Sequence, residues 1–337
     1  MVNSHKKLKV SKKETALTWS GDVVAHPVAS QKHQSVLHRL TFRAMGCEML
    51  AMVDSPSAPS LPSIPGWFEE WEQSLSRFRL DSELTRLNQI HESPVHVSKT
   101  LWDVFNTARK AEQLTDGLVT PTLLDAIIEA GYDRPFDQLP PQISSAPATT
   151  ISAFHSLTTI TVNESIWSIT LPAGVSLDFG GVAKGWSAHQ AIKRLQADGP
   201  ALVDAGGDIA ISGPRADGSP WQIGVADPFH PNEEIEILSV NEGGIATSGK
   251  DRRHWIRNGV QQHHVIDPIT SQPAETDLLT VTVIAPNVMQ AEAAAKAAFI
   301  LGSKLGLEWI ESQINFAGLF ILENGQALYS KRMQAYL

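Results

Sequence analysis

Residues 1–35 show no recurring apolar spacing; they are polar, and Lys6, Lys7, Lys9, Lys12 and Lys13 make them basic. The pattern predicts a disordered basic leader over 1–35, followed by one domain over 36–337. From 37 to 53 apolar and polar positions alternate in part, which predicts a strand interrupted near Gly46. Over 66–78 the spacing places Trp67, Phe68, Trp71 and Leu75 on one helical face. Ser98 or Thr100 can cap a second helix carrying Leu101, Val104, Phe105 and Ala108. A third is expected over 121–130, opening on a proline and closing before Gly131. Residues 135–157, rich in Pro, Ser and Ala, read as a surface excursion. A hairpin is expected around 163–165, then a helix from after Gly185 to about Gln196.

Short strand-like runs follow at 201–205, 208–212, 221–226, 236–240, 255–256, 262–266 and 279–285. Helices are expected at 288–301 and 303–312. Asn324-Gly325 joins a last hairpin, because both residues tolerate positive φ. Strands and helices alternate irregularly, without a βαβ rhythm. That order argues for an α+β fold of largely antiparallel sheets with packed helices.

Composition narrows the chemistry. The formal charge is −9 over 337 residues, which disfavours a nonspecific nucleic-acid binder. Any phosphate ligand must meet local cations or backbone N–H groups. The single cysteine, Cys47, excludes an intramolecular disulfide and a Cys-rich metal site. No run approaches the ~18 apolar residues of a membrane span. No apolar stretch of ~7–15 residues follows the N-terminal lysines, so the chain is expected to be cytoplasmic.

Several segments carry candidate chemistry. Gly244-Ile245-Ala246-Thr247-Ser248-Gly249-Lys250 has P-loop spacing, but Asp251 stands where that motif needs Ser or Thr. A glycine-rich turn, its N–H groups available to a ligand, is the expectation there. In Leu177-Asp178-Phe179-Gly180-Gly181-Val182-Ala183-Lys184-Gly185, paired glycines allow close backbone approach, and the following helix points its positive end at anions. The same residues also suit a tight turn with a surface lysine. Asp204-Ala205-Gly206-Gly207-Asp208 is a second diglycine element, which alone reads as a bulge or hairpin. His263 and His264 point to opposite faces of a strand, so at most one faces a site. Glu292 and Lys296, four apart on an alanine-rich helix, suit an ordinary ion pair.

The order of these segments resembles the FAD:protein FMN transferase (ApbE-like) family. Phe42-Arg43-Ala44-Met45-Gly46 is similar to its opening Met-Gly element. Ser76-Arg77-Phe78, Asp81-Ser82-Glu83-Leu84 and Asn88 follow its Ser-x-Tyr/Phe…Asp-Ser-Glu-Leu…Asn pattern. Gly117-Leu118-Val119-Thr120-Pro121-Thr122 through Gly131-Tyr132 comes next. The Lys184 and Asp208 elements follow, then Ala246-Thr247-Ser248-Gly249 and His264-Val265-Ile266-Asp267-Pro268. Val281 to Pro286 then leads into the Ala291-Glu292 helix. The match spans 37–302.

The resemblance implies an ApbE-like, T-fold-like α+β fold with a central FAD cleft. It implies transfer of FMN from FAD to a Thr or Ser hydroxyl of an acceptor flavoprotein, with release of AMP and with magnesium. By position, Met45 and Phe78 would pack on the flavin nucleotide. Leu118, Val119, Thr120, Asp178, Lys184 and Leu279 would line the FAD site. The Gly181 carbonyl and Glu292 would be metal ligands, and His264 would help deprotonate the acceptor.

Departures from the pattern concern the metal. The family's helix carries Asp and, four residues on, Thr as ligands; here these are Glu292 and Lys296, and a protonated lysine cannot ligate. Lys296 either replaces part of the metal's charge or pairs with Glu292. Thr120, His189 and Ser271 stand where the family has Asp, Asp and Gly. An FAD-binding carrier without transfer is the alternative reading, and a P-loop-like hydrolase is a weaker one.

Overall fold

Eight strands build one antiparallel sheet. The computed structural model describes residues 36–144, 155–230 and 232–337. The leader expected over 1–35 and the middle of the surface excursion, 145–154, lie outside the described residues. The strands are β1 (Val36–Ala44), β2 (Cys47–Ser55), β3 (Ala201–Ala205), β4 (Asp208–Ile211), β5 (Gly243–Gly249), β6 (Leu278–Ala285), β7 (Ala317–Leu322) and β8 (Ala327–Tyr329). Each pairs antiparallel with the next in chain order. The β1–β2 turn is Met45-Gly46, with φ of 50° and 69°, the left-handed pair that suits a two-residue hairpin.

Helices are inserted between strands. α1 (Ile64–Leu75), α2 (Glu83–Asn88), α3 (Lys99–Leu114), α4 (Leu124–Glu129) and α5 (Ala183–Leu195) lie between β2 and β3, and α6 (Val288–Ser312) lies between β6 and β7. Ser82 caps α2 and Ser98 caps α3 through their side chains. One sheet face packs on helices: Met49, Ala51, Val53 and Val203 share a core with Phe68, Trp71, Phe105 and Trp186. The opposite face takes Leu202, Ile211, Ile245 and Leu319. It is covered by the hairpin of Trp221–Ala226 with Glu234–Val240, and by Met333 near the C-terminus. Burying both faces accounts for the near-continuous burial along β3 and β7. The fold class is the expected α+β.

Tertiary contacts shift several sequence expectations. The helix expected over 121–130 begins only at Leu124. The Pro121 carbonyl accepts from Asp178 N at 2.8 Å, and the Thr120 hydroxyl donates to Glu112 at 2.8 Å. Those bonds hold residues 120–121 out of the helix. The glycine-rich turn expected at 244–249 is instead strand β5, bonded on both sides. The strand expected over 262–266 breaks at His264, because His263 uses its ring nitrogens on the Ala274 carbonyl and the Val265 amide. Gly302, at φ 78° and ψ 175°, kinks α6 where the two sequence-predicted helices meet.

Candidate active site

A cavity of about 560 Å³ opens between the β1–β2 turn, the end of α1, the start of α5 and the middle of α6. Its walls include Met45, Phe78, Leu118, Val119, Thr120, Asp178, Gly181, Lys184, His264 and Lys296. Segments from Arg43 to Ile300 therefore meet around one space. Two candidate residues stand apart. Leu279 lies in β6 outside the lining, its carbonyl accepting from Lys250 N at 3.1 Å. Glu292 is buried behind Lys296.

The apolar end is built on local anchors. Met45 N donates to Glu72 Oε2 at 2.8 Å, so α1 fixes the hairpin turn over the cavity. Past the end of α1, Ser76 Oγ accepts from Phe78 N at 3.3 Å. Arg77, a residue given no role by sequence reasoning, links three parts of the wall. Its guanidinium lies 4.1 Å from the Phe78 ring centroid and 4.9 Å from that of Tyr132. It also bonds the Tyr132 carbonyl at 2.7 Å and pairs with Asp178 at 3.3 Å. The available signal was its place between two recognised motif residues, Ser76 and Phe78. Glu112 is a second missed residue. Buried on α3, it accepts from the Thr120 and Ser156 hydroxyls and from Leu157 N, and so braces the 118–120 wall.

The polar end starts from Asn88, whose side chain bonds both N and O of Leu177 at 2.8 Å. Asp178 Oδ1 then accepts from Gly180 N at 2.8 Å, and α5 begins. A lysine in a helix's first turn opposes the macrodipole. Lys184 is held there by an ion pair with Asp208 on β4. Burial lowers the pKa of this ammonium, but the Asp208 and Glu292 carboxylates outweigh it, and the group stays protonated. Lys296 pairs with Glu292 Oε1 at 3.0 Å, and Glu292 Oε2 accepts from Gly185 N at 3.0 Å. Burial and the Asp208 charge raise Glu292 to about 7, against the pull of Lys296 and Lys184. A Cβ on Gly185 would lie 2.5 Å from Glu292 Oε2, so only glycine admits this contact.

His263 and His264 separate where the strand ends. His263 is in the core, 5.8 Å from the Phe299 ring. His264 faces the cavity, and its Nδ1 is buried without a partner. Burial, then the charges of Arg253 and Lys296, hold His264 well below the usual histidine range. It is therefore a neutral imidazole, able to accept a proton. Arg253, also missed, enters the cavity wall and donates to Cys47 Sγ at 2.9 Å. His189 lies outside this cavity, in a surface groove with Lys193. Among the described residues, Asp227, His230 and Glu233 group as possible metal ligands, and none of them lines the cavity.

The ApbE family model matches residues 45–320, which contain every cavity-lining residue except Arg43 at the end of β1. The chain belongs to the ApbE family. A curated relative, the FAD:protein FMN transferase of Treponema pallidum, is 31% identical over 249 residues, covering 69% of each chain. The crystal structure of an ApbE protein from Thermotoga maritima superposes with a TM-score of 0.80 at 25% identity, covering 89% of this chain and 99% of that one. The flavin transferase ApbE from Vibrio cholerae gives a TM-score of 0.75 at 24% identity, covering 90% and 100%. The fold is thus that of ApbE proteins. One departure from the family pattern gains a physical meaning: Ser271, standing for a glycine, adopts φ 55°, a left-handed conformation that costs a side-chain-bearing residue ~1–2 kcal/mol.

Proposed function

We propose that this protein transfers FMN from FAD to a Thr or Ser hydroxyl of an acceptor flavoprotein, releasing AMP. The observation that carries the reading is the joining of an aromatic pocket, a lysine-bearing helix N-terminus and a neutral histidine in one cavity. The flavin packs against Met45 and Phe78, with Leu118 and Val119 below it. Its diphosphate lies against Lys184, Lys296 and the Gly181 N–H. These donors stabilise charge that develops on the phosphoryl oxygens. His264 takes the proton of the attacking hydroxyl. The apolar wall and the buried Glu112 network exclude water, which would otherwise compete as the nucleophile.

Magnesium, which the family resemblance implies, is poorly matched by the donors here. Magnesium demands oxygens in near-octahedral geometry. Both Glu292 oxygens are already bonded, to Lys296 and to Gly185 N. No step in this reading uses a metal. No helix among the described residues is long and apolar enough to cross a membrane.

The test is to incubate the protein with FAD and a panel of flavoprotein acceptors, with and without magnesium. A covalent fluorescent band and stoichiometric AMP are expected, and replacing the acceptor hydroxyl should abolish both. FAD recovered intact with every acceptor would reject the reading. The acid limb of the pH–rate profile should lie below the ordinary histidine range, because His264 stays neutral there.

A further inference from the structure

Two lysines reach the polar end of the cavity, and each arrives with its own carboxylate. Lys184 is fixed by Asp208 at the start of β4. Lys296 is fixed from its own helix by Glu292, one turn earlier. The side chain of Lys296 runs beside the diglycine turn: a Cβ on Gly181 would lie 3.5 Å from Lys296 Cε and 3.8 Å from Cδ. Lys296 thus lies within ordinary van der Waals reach of the Gly181 position. Glu292 takes one of the three N–H bonds an ammonium can donate. The others remain for an anion in the cavity that Lys296 lines. A metal at the same place would have to displace Lys296 from Glu292 and sit beside a like charge.

We propose that Lys296 is the resident cation of this site, standing against the diphosphate of FAD where a divalent metal would otherwise be needed. The inference rests on the flavin-transfer reading and specifies its electrostatics. The acceptor hydroxyl oxygen attacks the flavin-side phosphorus. The bond from that phosphorus to the bridging oxygen breaks, and its electron pair leaves with AMP. The hydroxyl proton passes to His264. Lys184 and Lys296 neutralise the phosphoryl oxygens throughout, and no oxidant or reductant is required.

The wild-type protein carries the first test. FAD affinity, read from quenching of flavin fluorescence, is expected to agree within about twofold in EDTA and in excess magnesium. Calorimetric titration of magnesium into the FAD-loaded protein is expected to give no stoichiometric binding. Lys296→Thr replaces the ammonium with an oxygen and frees Glu292. Its FAD affinity in EDTA is expected to fall roughly ten- to a hundredfold, and its FAD-loaded form to bind magnesium. Stoichiometric magnesium binding by wild type, or a strong rise of its FAD affinity with magnesium, would overturn the inference and leave the flavin reading intact. No FAD binding in either buffer would overturn the flavin reading, and this inference with it.

Discussion

Residues 177–185 and 243–250 are both glycine-rich and both carry a lysine near their end, yet they occupy opposite kinds of place. In the first, Gly181 has open space beside it, bounded by the Lys296 side chain, and Lys184 lines the cavity. In the second, a Cβ on Gly244 would lie 2.0 Å from Val288 N and 2.2 Å from Val288 Cα. Gly249 is closed off by the Leu279 carbonyl at 2.6 Å. Lys250 turns away from any ligand, to the Thr276 carbonyl at 2.8 Å and Glu323 at 2.7 Å. The difference lies in backbone partners. The first segment is a loop running into a helix, with Gly180 N taken by Asp178 and Gly180 and Gly181 lining the cavity. The second is a strand with neighbours on both sides, its N–H groups spent on the sheet. Glycine spacing alone does not distinguish a phosphate cradle from close packing.

The contrast can be broken most forcefully at Lys184. Lys184→Met removes a cation from the reacting centre, and FMN transfer should fall about a thousandfold, or ~4 kcal/mol. Single-turnover AMP release would measure this, and a loss under about tenfold would put Lys184 on a par with Lys250. Next in size is Gly244→Ala. Its methyl meets the backbone at the start of α6, so unfolding stability should drop by about 3 kcal/mol, read as a lower denaturant midpoint. An unchanged midpoint would mean that β5 and α6 are not in contact there.

The acid sensitivity of the Lys250 side should be of comparable or smaller size. His263 is held down to about 4 by burial, with Lys250 contributing, against 6.5 when free. Protonation therefore favours the unfolded chain. The stabilisation is complete above about pH 6.5 and is lost as pH falls toward 4, by roughly 2–3 kcal/mol. His263→Gln should flatten stability across that window in denaturant melts at several pH values. Lys250→Ala should have the smallest effect, under about 1 kcal/mol on stability and none on FAD affinity. A clear loss of FAD binding in that variant would reverse the comparison.

Several features were legible because they depend on near neighbours in the chain. The α1 face of Phe68, Trp71 and Leu75, the Ser98 cap, the Gly302 break and the Asn324-Gly325 turn follow from helical period, capping chemistry and allowed φ. His263 and His264 do part, one to the core and one to the cavity, although the strand ends between them. Motif order pointed to the family and to most of the cavity wall. Arg77 and Glu112 were missed as anchors because their partners, Asp178 and Ser156, lie far along the chain. Leu279 was expected in the wall and lies outside it, since a match of position along the chain does not say which way a strand residue faces.

The sequence by itself determined the α+β class, the strand and helix periods and the set of residues able to bind a phosphate. Those depend on local geometry and on the chemistry of each side chain. Only the tertiary structure decided that β5 is an inner strand, that Lys184 rather than Lys250 reaches the cavity, and that Lys296 rests between Glu292 and Gly181. Such outcomes depend on which distant backbones fill the adjoining space, and burial, ion pairing and steric fit are properties of that space.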